Sequence, residues 1–298
     1  MRSVRQQQYL ASALVVLAGS VWGLYWLPIR AISTQFLPGG WGSLAATLMA
    51  LVVLSPAALY YRGDLRRLPL RSLLWLLLGG ASFMFYSIGL VHGRVATVIL
   101  LFYLTPVWST LIARLALRWP VPPLRYAVIV VGLCGLALVL SAEGGLPLPQ
   151  GVGDWLGLAS GVIWALATTG MRLSPMPGAA VSAFVFALGG ALAALVLATL
   201  MTPWPGLPAL AAWPLAAGQL LLAGGLWWGL AMVALLWATA RLDPTRVGIL
   251  LMSEVLVGVL SAAWLANEPF GALAVLGAVL VITAAALELW PVRRSVDG

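Results

Sequence analysis

A chain of 298 residues that is 62% hydrophobic and only 8% charged, with a mean hydropathy of +1.04, cannot be a water-soluble globule. Soluble domains carry about 25% charged residues, so the solvent of this protein is lipid. Its net charge of +8 comes from arginine alone, and the distribution of those arginines along the chain argues against a nucleic-acid surface.

A span needs about 20 apolar residues to cross roughly 30 Å of hydrocarbon. That criterion predicts ten spans, at roughly 9–29, 41–61, 72–91, 95–117, 124–141, 153–172, 178–201, 213–237, 245–266 and 270–290. The short connections leave no room for a soluble catalytic domain. The first apolar run follows Arg2 and Arg5, as in a secretory signal. It continues through "GSVWGLYWLP" without a small-residue cleavage site, and so reads as a retained span.

In span one, Trp22, Tyr25 and Trp26 are three and four residues apart and share a helix face. Span three carries Gly79-Gly80 ahead of Phe83 and Tyr86, and span four carries Tyr103 just before Thr105-Pro106. Pro106 lacks an N–H, so a kink is expected there. A Gly/Pro-rich stretch from Ser141 to Asp154 separates spans five and six and divides the chain into halves at 1–143 and 144–298. Span six places Trp164 and Thr168 on one face; span eight carries Gly224-Gly225 ahead of Trp227 and Trp228. Spans three, four, eight and nine are expected to bend and to act as hinges at Gly79, Gly80, Pro106, Gly224 and Gly225. The alternative role for these small residues is close helix packing. Trp41, Trp75, Trp119, Trp155, Trp204, Trp213, Trp264 and Trp290 fall near span ends, where indoles favour the headgroup layer.

Span nine holds the strongest signal. Within "RVGILLMSEVLVGV", Glu254 lies roughly 12 Å along the helix from Arg246, well inside the hydrocarbon. An acid at that depth marks a functional site by default. It either lines a central cavity, where it binds an ammonium group or exchanges a proton, or is a protonated carboxyl bonded to Ser253, Thr105 or a carbonyl. Trp22, Tyr25, Tyr86, Tyr103, Trp164, Thr168 and Glu254 together would line a cavity walled by aromatic faces, with core packing the alternative for each ring. Glu288 differs: it sits beside Trp290 and Arg293 at the end of span ten and reads as interfacial.

The halves echo one another. "AGSVWGLYW" in span one parallels "ASGVIWALA" in span six, and "LLFYLTPVWSTLIARLAL" in span four parallels "ILLMSEVLVGVLSAAWLA" in span nine. Five spans per half is an odd number, so the second half enters from the opposite face. The expected fold is therefore an all-α integral membrane protein of ten transmembrane helices, built as two inverted five-helix repeats. With the N-terminus inside, fourteen of the sixteen arginines fall on one side and only Arg30 and Arg94 on the other, which places both termini in the cytoplasm. One histidine, His92, one cysteine, Cys134, and no lysine exclude a histidine metal cluster, a Ser-His-Asp arrangement and a phosphate-binding loop. An enzyme and a resident cofactor are not expected.

The small-residue-Trp pattern "AGSVWG", "LTPVW" in span four, and "SEVLVGVLSAAWLANEPFGALAVLGAVLVITAAALEL" with "NEP" at Glu268 resemble the drug/metabolite transporter superfamily, in its ten-span branch of duplicated EamA-type halves. Two departures stand out: Val255 where proline is common, and "RWPVPP" where a Glu-containing turn is expected. The aromatic core most resembles YddG-type exporters of aromatic and other amino acids. That resemblance implies efflux of neutral L-amino acids from a bacterial inner membrane by alternating access, with Tyr103 and Trp164 lining the cavity. A proton is a candidate coupling ion, and a monomer is compatible with the pattern. Export of organic cations, or a receptor or scaffold that transports nothing, are the rival readings.

Overall fold

The computed structural model describes residues 4–118, 123–142, 148–239, 241–242, 244–268 and 271–288. Among them the regular structure is entirely helical. Arg2, Trp119, Trp290, Arg293, Arg294 and the boundary at 143–144 lie outside the described residues, as does the side chain of Glu288. Six helical runs are long and apolar enough to cross a membrane: Gln6–Gln35, Gly40–Tyr60, Leu70–His92, Val95–Leu115, Ala179–Met201 and Leu210–Thr239. Three shorter apolar helices, Tyr126–Ser141, Leu250–Leu265 and Ala272–Leu287, fall on the predicted fifth, ninth and tenth spans.

In chain order, span one comprises α1 (Val4–Gly23) and α2 (Trp26–Gln35), span two is α3 (Gly40–Tyr60), and a short α4 (Arg62–Arg66) precedes α5 (Leu70–His92). Span four comprises α6 (Val95–Phe102) and α7 (Thr105–Leu115), followed by α8 (Pro123–Ser141). The second half holds α9 (Val152–Arg172), α10 (Ala179–Met201), α11 (Trp213–Leu221), a π-helical segment (Leu222–Ala231), α12 (Met232–Thr239), α13 (Pro244–Leu265) and α14 (Ala272–Glu288). Helix α9, the predicted sixth span, belongs to neither apolar group, because it spends its contact face on small residues. A Cβ at Gly161 would lie 2.9 Å from the Phe102 carbonyl, and one at Gly157 would lie 3.2 Å from Val98, so glycine lets α6 approach backbone to backbone.

The helices pack across the two halves. Helix α5 lies against α9 and α10, α3 against α10, α8 against α14, α1 against α12 and α13, and α6 and α7 against α9. Exchanging spans one to five for six to ten leaves this pattern unchanged. The α5–α9 pair becomes α12–α1, α5–α10 becomes the π segment on α3, and α1–α13 becomes α9 on α6 and α7. The α8–α14 and α3–α10 pairs map onto themselves. The backbone repeats the correspondence: Arg118 (φ 53°) and Asn267 (φ 50°) are the non-glycine residues of positive φ among those described. They fall opposite one another in the register that pairs "LLFYLTPVW" with "ILLMSEVLV".

The bends differ from expectation. Span four does break, at Tyr103-Leu104, and span eight does depart from α-helix around Gly224-Gly225. Helix α5, however, runs unbroken through Gly79-Gly80, and α13 runs unbroken through Glu254. The two glycines of α5 serve packing instead: a Cβ at Gly80 would overlap the Phe186 carbonyl, and one at Gly79 would come within 2.7 Å of the Phe186 ring. Helix α13 stays continuous because Val255 keeps the N–H that Pro106 lacks at the matching position. An additional break, at Leu24-Tyr25 in span one, has its sequence signal in Pro28, whose missing N–H cannot reach the Leu24 carbonyl.

Gly80→Ala is expected to overpack the α5–α10 contact and cost about 1–3 kcal/mol, lowering the thermal midpoint in detergent. Gly225→Ala, where a Cβ meets Leu221 at an ordinary 3.5 Å, should leave that midpoint nearly unchanged.

Candidate functional site

Two broken helices position the polar groups at the centre. At the first break the chain tightens to three-residue spacing, with Leu24 N–H donating to Val21 O at 3.0 Å and Tyr25 N–H to Trp22 O at 3.0 Å. The Trp227 indole also donates to Val21 O, at 2.7 Å. At the second break Pro106 leaves the Phe102 carbonyl without its helical donor, and the Thr105 hydroxyl takes it at 2.6 Å. The breaks turn Tyr25 and Tyr103 inward.

Tyr103 donates to Glu254 Oε2 at 2.9 Å and also approaches Leu251 O at 3.2 Å. Glu254 is 6% exposed. Its other oxygen, Oε1, has no hydrogen-bond partner, and neither do two further buried atoms of this centre, the Tyr86 hydroxyl and Trp22 Nε1. Tyr86 faces the same carboxyl group without reaching hydrogen-bond geometry. Helix α1 crosses α13 at this level. A Cβ at Gly19 would lie 3.5 Å from Glu254 N, and one at Gly23 would lie 2.7 Å from Glu254 O. Neither Ser253 nor Thr105 bonds the acid: Ser253 donates to Val16 O at 3.1 Å, and Thr105 is committed to Phe102.

Around these atoms the rings interlock. Phe83 is the hub, edge-to-face with Trp22 at 4.9 Å, Trp164 at 5.0 Å, Phe186 at 5.3 Å and Phe102 at 5.8 Å. Tyr86 lies 4.9 Å from Phe102, which lies 5.5 Å from Tyr103. These are the separations aromatic pairs prefer. A chain of hydroxyls borders the cluster. Trp228 Nε1 donates to the Tyr25 oxygen at 3.0 Å, Tyr25 meets Ser87 Oγ at 3.1 Å, and Ser87 meets Ser43 Oγ at 3.0 Å. Indole only donates, so Tyr25 accepts from Trp228 and its own hydrogen goes to Ser87.

The structure therefore brings Trp22, Tyr25, Tyr86, Tyr103, Trp164 and Glu254 into one cluster. Thr168 stays apart: its hydroxyl bonds the Trp164 carbonyl one turn back, at 2.7 Å. Packing is tightest around Tyr25 and Trp228, whereas Tyr103, Trp164 and Thr168 are half-buried. Tyr25 and Trp228 are both 0% exposed, leaving no water-sized void against either. Open apolar grooves of about 460 and 440 Å³ lie on outer faces instead, between α5 and α10 and between α3 and the α11–π run. Phe102, Phe186, Ser43 and Ser87 are members of the cluster that periodicity did not single out. Ser87 lies four residues after Phe83 on the same helix face, which is a usable signal; Ser43 carries none. Among the described residues no group of three His, Cys, Asp or Glu gathers to hold a metal.

Residues 10–141 match the EamA-like transporter family. That match covers the first half of the chain, and the six long apolar helical runs among the described residues fit a multi-pass membrane protein. A solved crystal structure, described only as that of a protein, is similar over 95% of this chain and 97% of its own, with a TM-score of 0.55 and 20% identity. That likeness concerns the fold alone. No curated protein matches.

Tyr25→Phe and Ser87→Ala each sever the hydroxyl chain, so in a double-mutant cycle of thermal stability the two should couple by about 1 kcal/mol. Additive losses would mean the hydroxyls are not bonded to one another.

Proposed function

We propose that this protein exports amino acids, aromatic and other neutral L-amino acids foremost, by alternating access in a bacterial inner membrane. In this reading ten helices span the bilayer as two inverted five-helix repeats, with both termini cytoplasmic. The exchange-invariant packing and the paired positive-φ residues support the repeat, and the arginine distribution supports the orientation.

One observation carries the substrate reading. Glu254 Oε1, the Tyr86 hydroxyl and Trp22 Nε1 are buried and unpartnered at the meeting of the two halves. Each such atom costs about 1–3 kcal/mol, and a solute supplying the missing partners would recover that cost. An ammonium group suits Glu254 Oε1, a carboxylate suits the Trp22 and Tyr86 donors, and the rings suit an apolar or aromatic side chain. The breaks at 24–25 and 103–104 and the π segment, with Pro106, Gly224 and Gly225, are the places where the walls part. Export as the direction, and amino acids as the class, rest on the resemblance of the aromatic core to YddG-type exporters.

A second reading, export of organic cations, is favoured by one feature. Arg30 and Arg241 bond carbonyls outside the cluster, and within it a cation would meet the Glu254 carboxyl and π-faces. Counterflow of labelled tryptophan and of tetraphenylphosphonium into proteoliposomes, with and without a pH gradient, separates the two. Glu254→Gln should slow tryptophan flux about tenfold, the loss of one charge-assisted bond, while tetraphenylphosphonium flux, if present, should vanish. Absence of amino-acid flux in the unmutated protein would sink the amino-acid reading, and stimulation by a pH gradient would identify the proton as the coupled ion.

A further inference from the structure

We propose that Glu268 is a latch that holds the outer face closed. The proposal rests on the alternating-access reading, but not on the identity of the solute.

Helix α6 begins at Val95, and its N-cap residue Arg94 supplies no side-chain cap. The cap comes instead from the other half of the molecule. Glu268 Oε1 accepts from Val95 N–H at 2.7 Å, and Oε2 accepts from Ala96 N–H at 3.1 Å. A carboxylate across the first two amides of a helix satisfies donors that have no partner within it and meets the positive end of its dipole. Arg30 completes the junction. Its Nη2 reaches Glu268 Oε1 at 3.4 Å and the Gly93 carbonyl at 2.6 Å, while Nε donates to Leu90 O at 2.7 Å. The two side chains are only 27% and 9% exposed. One acid therefore ties the α13–α14 connection to α2, to the end of α5 and to the start of α6, directly over the aromatic centre. Asn267, in the left-handed region at φ 50°, turns the backbone so that Glu268 faces α6. The face where this happens is the arginine-poor one, which the positive-inside rule makes the outside.

The repeat makes the asymmetry legible. In the register that sets Arg118 opposite Asn267, Trp119 falls opposite Glu268, and Pro244 and Thr245 at the start of α13 fall opposite Val95 and Ala96. Tryptophan has no acceptor to offer a helix terminus, and Pro244 has no N–H to be accepted. By sequence, the matching inner position offers neither the acid nor the first amide of this latch. Opening outward must break charge-assisted bonds to two amides and a guanidinium.

Thiol accessibility tests this without any substrate. Cys134→Ala removes the one native thiol, and Ser261→Cys, near-isosteric and two turns before Glu268 on buried α13, reports on the path below the latch. Labelling by a membrane-impermeant maleimide is measured in right-side-out and inside-out vesicles. Outer-face labelling should accelerate about tenfold or more in Glu268→Ala, and by a smaller factor in Glu268→Gln, with the inner-face rate unchanged. The Gln variant keeps the side-chain volume and carries the test alone if the Ala variant does not reach the membrane. An unchanged outer rate, or an equal rise from both faces, overturns the latch.

Discussion

In hydrocarbon a backbone or side-chain polar group finds its partner inside the protein or goes without, and this constraint organises the molecule. Two spans interrupt their own hydrogen-bond ladders, each two to four residues ahead of a proline, Pro28 or Pro106. The interruptions are tolerated because neighbours make good the loss: the Thr105 hydroxyl serves Phe102, and the Trp227 indole adds a donor at Val21. Tyr25 and Tyr103 occupy these irregular points, where they escape the helical stacking that would turn them elsewhere.

The aromatic centre follows from the same constraint. Rings pack edge-to-face around Phe83, and several of the polar atoms among them are paired with one another. Tyr103 satisfies one oxygen of Glu254, and Trp228, Tyr25, Ser87 and Ser43 satisfy each other in sequence. The leftover atoms, Glu254 Oε1, the Tyr86 hydroxyl and Trp22 Nε1, are conspicuous because so much else is paired. Small residues make the arrangement compact. Gly23, Gly80 and Gly161 each stand where a neighbouring helix backbone lies too near for a side chain.

The halves follow one packing plan and differ in local chemistry. Prolines break spans one and four, whereas their counterparts α9 and α13 are continuous and the second half is loosened by a π segment in span eight. Glu268 caps α6 across the halves, whereas tryptophan stands at its counterpart. The packing pattern repeats between the halves, and the polar contacts laid upon it do not.

Hydropathy and the positive-inside bias act along the chain, and for that reason the sequence by itself determined the membrane class, the positions of the helices, the candidate acid Glu254 and the faces carrying Trp22, Tyr86 and Trp164. The echo between spans four and nine was readable too, whereas the matching turns at Arg118 and Asn267 came only with the backbone. Which polar atoms meet was decided only by tertiary structure. The Glu254–Tyr103 bond, the Ser43–Ser87–Tyr25–Trp228 chain and the capping of α6 by Glu268 join residues far apart in sequence. The glycines of α5 look like hinges in one dimension and prove to be contact points in three, because a helix bends or packs according to what lies beside it. Whether the ringed centre is open or closed belongs to the same category: side-chain type determines what can line a cavity, and helix spacing determines whether there is one.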